Sequence, residues 1–156
     1  MLLLHFLIGG DRYALDCRDV REVVPLATLR DIPKAPESIA GLLRYRGHVV
    51  PVIDLCVLAG RGPAPRILST RIIIARFADQ DGAERTLGLI AERVVDAGRP
   101  PEEPPEPSGI AIREAPYLGD VISGPEGITQ FLRVSDLLPP DVQKMLFLAA
   151  EEARSK

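Results

Sequence analysis

The chain has no tryptophan, and aromatic residues fill only 4% of its 156 positions. A folded core must therefore be aliphatic. Two cysteines, Cys17 and Cys56, are too few for a disulfide framework and read as free buried thiols. Of the two histidines, neither stands at ligand spacing from a cysteine or carboxylate. His5 lies in an apolar run and reads as structural, while His48 lies at a turn and reads as solvated or as a contact residue. There is no excess of positive charge: the net charge is −3, which argues against nucleic acid or an anionic membrane as the main partner. No apolar run approaches the length that crosses a bilayer. The opening MLLLHFLI lacks the basic flank and small-residue cleavage site of a signal peptide, so a cytoplasmic location is expected.

What is present is a 46% apolar content, enough for one compact domain or two very small ones sharing a core. Residues 2–8 and 13–16 flank Gly9-Gly10-Asp11 as a hairpin. Val20, Val23 and Val24 fall at i, i+3 and i+4, which predicts a short helix, and a second is expected over residues 93–96. Residues 29–32 suggest a brief strand before Pro33 and Pro36. GLLRYRGHVVPVIDL, from Gly41 to Leu55, reads as two strands joined by a tight turn that carries Arg44, Tyr45, Arg46 and His48. RIIIARF and TLGLI form another pair across Asp81-Gly82, and residues 117–123 and 128–134 form a last hairpin. PPEEPPEP at 100–107 holds five prolines and reads as an exposed acidic extended loop. Val142, Met145, Leu146 and Ala149 predict an amphipathic helix over 139–156. Many short strands and few helices indicate an all-β sandwich or barrel.

A search for chemistry finds little. Gly60-Arg61-Gly62-Pro63 lacks the helix start and Lys-Ser/Thr pair of a phosphate loop. Glu102, Glu103 and Glu106 read as a solvated acidic loop. Asp54 closes an apolar strand, where its carboxylate is suited to accept backbone N–H bonds as the chain turns. No nucleophile–base pair, carboxylate pair or metal cluster is evident, so no enzyme activity, cofactor or metal is expected.

From Phe6 to about Leu138 the pattern resembles the CheW-like domain, the adaptor module of bacterial chemosensory arrays. The resemblance rests on FLIGGDRYALD, on Val20-Arg21-Glu22-Val23, and above all on IPKAPESIAGLLRYRGHVVPVIDL. RIIIARF and TLGLIAERV extend it. Three positions depart from the family: Arg44-Tyr45 replaces the usual Asn-Leu, Cys56 stands for Arg, and Glu92 for Asp. YRG, Cys56 and APYLGDV at 115–121 look closer to a diverged coupling protein of the Wsp surface-sensing type, whose output is cyclic-di-GMP.

The resemblance implies two intertwined five-stranded SH3-like barrels in one domain over 1–138. Barrel one would span about 12–67, and barrel two 68–138 plus strand 2–8, with the helix outside. It also implies a non-catalytic adaptor that couples a chemoreceptor's helical cytoplasmic tip to the regulatory domain of a CheA-like histidine kinase, recruited to membrane-associated arrays. The receptor-binding residues it implies are Val20, Glu22, Val24, Ile39, Gly41, Arg44, Tyr45 and Arg46. Val20, Val24 and Ile39 would line a groove for an apolar helix face. The reading of Val20 and Val24 as ordinary core stays open. So does a second function, a stand-alone β-barrel sensor of a small ligand, whose mark would be an enclosed polar pocket.

Overall fold

A computed structural model describes residues 1–95 and 98–154, with side chains as far as Leu148. It is all-β, with short helices at its margins. The strands are β1 (Leu3–Ile8), β2 (Asp11–Asp16), β3 (Val20–Pro25), β4 (Ile39–Tyr45), β5 (His48–Asp54), β6 (Arg71–Ala78), β7 (Glu84–Ala91), β8 (Leu118–Gly124) and β9 (Gly127–Leu132). Helix α1 (Leu55–Leu58) follows β5, and α2 (Pro140–Arg154) ends the described chain.

The strands form a four-stranded sheet in the order β1-β2-β9-β8 and a five-stranded sheet in the order β3-β6-β7-β5-β4. The expected count of five in each is met only with help from irregular chain. Glu92, Val95 and Arg99 bond to the free edge of β1, at Leu7, His5 and Leu3 respectively. The hydrogen-bonded ladders also do not divide at residue 67. Strands β6 and β7, which the family resemblance places in the second barrel, complete the sheet of β3, β4 and β5. The reason lies in their composition: Ile72, Ile73, Ile74 and Ala75 are all fully buried. A strand covered on both faces belongs at the centre of a sheet.

Residues 20–24 are strand, not helix. Three valines favour extended backbone, and a bulge between Val20 and Glu22 shifts the pairing with β6 by one residue. A bulge adds one to the period of two, so Val20 and Val23 share a face and mimic helical spacing. Ahead of β3, Cys17–Asp19 makes one 3-10 turn. Residues 93–95 are not helical either: the Val95 amide donates to the His5 carbonyl. Asp96 lies outside the described residues. Of residues 29–32 only Arg30 pairs, with Leu42.

Within α2, Leu146 is fully buried and Val142 half-buried, but Met145 is 40% exposed. Phe147 takes its place on the packed face, 6.1 Å from Phe77 between ring centres. The side chain of Ala149 lies outside those described.

Candidate functional site: the β4–β5 turn and the face of β3

Strands β4 and β5 pair out to Tyr45 and His48, leaving Arg46 and Gly47 as a two-residue turn. Both take left-handed backbone angles, φ +47° and +78°. This is the hairpin turn whose twist matches its strands, and it favours Asn-Gly. An arginine there costs about 1 kcal/mol of backbone strain. Its guanidinium is nonetheless held in a set position. One N–H donates to Glu22 Oε1 of β3 at 2.6 Å, another to the Tyr45 hydroxyl at 3.1 Å, and the charge sits 5.6 Å from the Tyr45 ring centre. Glu22, Tyr45 and Arg46 therefore form one exposed cluster, assembled from strands at opposite ends of the five-stranded sheet. Arg44, exposed on β4, adds a further cation on the same hairpin.

The other expected residues divide. Val20 lies half-buried in a groove between the sheets, lined by Leu4, Val23 and Gly98. Val24 packs against the main core, and Ile39 is buried within it opposite Ile53, so neither lines that groove. Gly41 is buried, and a Cβ there would meet the Arg30 carbonyl at 2.6 Å. It is a backbone requirement of the Arg30–Leu42 pairing and offers no contact surface of its own.

Arg46 does not pair with Asp54. The Asp54 carboxylate is buried and accepts from the amides of Cys56 and Val57 at 2.9 and 3.4 Å, capping α1. It also accepts from Ala64 at 3.1 Å, tying down the loop beyond. Two departures noted in the sequence meet in space. Cys56 Sγ donates to Glu92 Oε1 at 3.2 Å, and the Gly9 amide donates to the same oxygen at 2.8 Å. Burial and that carboxylate push the Cys56 thiol up to about 12, so it stays a protonated structural donor.

Sequence reading missed one surface. Residues 25–31 and 66–70 flank a shallow groove in which Leu68 is 97% exposed and Ile67 is exposed beside it. The only signal was an apolar pair inside a Pro/Gly loop, unexplained by any strand or helix period. Solvated leucine and isoleucine side by side mark a contact surface. Among the described residues no cluster of three or more His, Cys, Asp or Glu is placed to hold a metal. No described helix is long and apolar enough to cross a membrane.

Two small sheets thus enclose an aliphatic core, with a charged cluster at one hairpin tip. The model of the CheW-like domain matches residues 2–141, and the chain belongs to that family. It is 30% identical over 137 residues to the protein FrzA of Myxococcus xanthus, covering 85% of this chain and 82% of that protein. It is 29% identical over 94 residues to a probable chemotaxis protein CheW of Rhizobium etli, covering 60% of this chain and 57% of that one. The chain thus spans little more than half of that relative. A crystal structure of the scaffolding protein TtCheW from Thermoanaerobacter tengcongensis superposes with a TM-score of 0.71 at 27% identity, covering 87% of this chain and 90% of that one.

Proposed function

We propose that the protein is a non-catalytic adaptor that couples the helical cytoplasmic tip of a chemoreceptor to the regulatory domain of a CheA-like histidine kinase. The observation that carries this reading is Arg46. A bulky cation occupies a left-handed turn position that asparagine fills at less cost, and its head group is displayed on the surface by Glu22 and Tyr45. Local strain that serves no packing purpose is a mark of function. Arg44, Tyr45, Arg46 and Glu22 meet the receptor through charge-assisted contacts, and Val20 supplies an apolar contact beside them. Gly41, Ile39 and Val24 hold the framework. The Leu68 groove, at the far end of the same sheet, docks the homologous barrel of the kinase. The Wsp-like output through cyclic-di-GMP extends this reading and rests on YRG, Cys56 and residues 115–121.

Arg46→Asn tests it. The variant keeps, or improves by a few tenths of a kcal/mol, the turn's stability. It should lower affinity for a receptor-tip fragment about tenfold or more in calorimetry. Unchanged affinity would remove Arg46 from the site, and an unstable variant would make it a structural residue.

A further inference from the structure

The acidic proline segment is a strap. Arg99 exchanges backbone bonds with Leu3 at 2.7 and 3.0 Å, on the free edge of β1. Glu106 exchanges bonds with Val121 at 2.9 and 2.8 Å, on the free edge of β8. Between those edges lie the four strands of the smaller sheet, so residues 100–105 cross its whole width. Five inter-strand steps of ~4.8 Å come to ~24 Å, the reach of about seven extended residues, so a strap of this length has little slack. Under it Leu3, Ala14 and Ile122 form a small second core.

Beside that core the strap leaves a cavity of about 80 Å³ with His5, Arg12 and Arg99 on its walls. That is room for a few waters or one phosphate-sized group. Arg12 is paired with Glu126. Among the described residues Arg99 makes no hydrogen bond or ion pair through its guanidinium, although it lies near enough to influence both His5 and Glu126. Glu126 sits in the β8–β9 turn with its side chain 73% exposed, so it can swing into water without disturbing the sheet.

We infer that this cavity is a binding site for a small tetrahedral oxyanion of the phosphate class, bridging Arg12 and Arg99 and displacing Glu126. Two guanidinium groups lining one cavity suit such an anion, since each offers paired N–H donors. Occupancy would also tie the strap, through Arg99, to the sheet, through Arg12. Glu102, on the strap, opposes the anion and sets a limit to its affinity. His5 faces Arg12, Arg99, Glu102 and the anion position, so an arriving anion offsets the two cations and favours its protonation.

The chain carries its own control. His5 and His48 are its two histidines, and His48 lies exposed at the start of β5. NMR of the two imidazoles during titration with inorganic phosphate, at constant ionic strength set by chloride, should show a saturable shift at His5 alone. The pKa of His5 should rise with occupancy. Arg99→Ala and Arg12→Ala should each weaken the titration about tenfold or more, and Glu126→Gln should tighten it about threefold or more, because the internal competitor is gone. Parallel, unsaturated shifts at both histidines would overturn the site, as would an Arg99→Ala titration equal to that of the parent chain. Weakening by Glu126→Gln would overturn the displacement.

Discussion

The two sheets hold themselves together by different physics. In the five-stranded sheet, β6 and β7 supply a nearly continuous apolar run: Ile72, Ile73, Ile74, Leu87, Leu89 and Ile90 have no exposed surface. Its pairing is enforced from both faces by burial. The four-stranded sheet has one such face, toward the main core, and on the other a small cluster of Leu3, Ala14 and Ile122 with Phe131 packed against it. There, backbone clamps replace volume. Glu92, Val95 and Arg99 bond along one edge, Glu106 closes the other, and the strap joins them. A sheet poor in apolar surface can be held at its edges, and its outer face is then left open to polar chemistry.

The largest effect expected from this contrast is at the centre of the apolar sheet. Ile73→Ala should cost about 3–4 kcal/mol in denaturant unfolding, whereas Ile122→Ala, in the small second core, should cost about half that. Equal losses would break the comparison. Asp54→Ala comes next: three amides lose their acceptor in a buried setting, for about 2 kcal/mol. It should also expose the amides of residues 56, 57 and 64 to hydrogen exchange.

The clamp can be tested at a single atom. Glu106→Pro removes the N–H that reaches Val121, and about 1–2 kcal/mol should go with it. Exchanging residues 102–104 for Gly and Ser should shift stability by less than about 0.5 kcal/mol, because Glu102, Glu103 and Pro104 are exposed. The reverse ranking would mean that strap side chains, not its backbone ends, hold the sheet.

The smallest effect is a pH dependence. Burial, then Arg99 and Arg12, hold the His5 imidazole below its ordinary value of 6.5, with Glu102 opposing. The unfolded chain then takes up the proton first, so stability falls as pH is lowered through about 6.5 and the fall ends below the folded value. Asp16 and Asp79 are held low by Arg18 and Arg85, and their losses come only at more acid pH. Melting between pH 7.5 and 5 should therefore show a shallow decline that His5→Gln removes. A decline retained in that variant would place the titrating group elsewhere.

Much of this architecture was legible in the residues. Gly9, Gly10, Gly47 and Gly82 mark turns because their left-handed backbone angles are rare for other residues, and the hairpins stand where those glycines stand. Asp54 was readable as a cap because a carboxylate after an apolar strand has few other uses. The valines of β3 misled because a bulge imitates helical spacing, and no local signal distinguishes the two. Helical period alone puts Met145 on the packed face of α2, but Phe147, against Phe77, occupies it instead.

The sequence by itself determined the aliphatic core, the all-β class, the hairpin turns and the family, since these follow from composition, local backbone preference and short ordered motifs. Only the tertiary structure decided which strands share a sheet. It alone brought Glu22 to Arg46 across 24 positions, Glu92 to Cys56 across 36 and Glu126 to Arg12 across 114. Those pairings depend on how two sheets close around a common core, and a chain's neighbours in space are not encoded in any window of its neighbours in sequence.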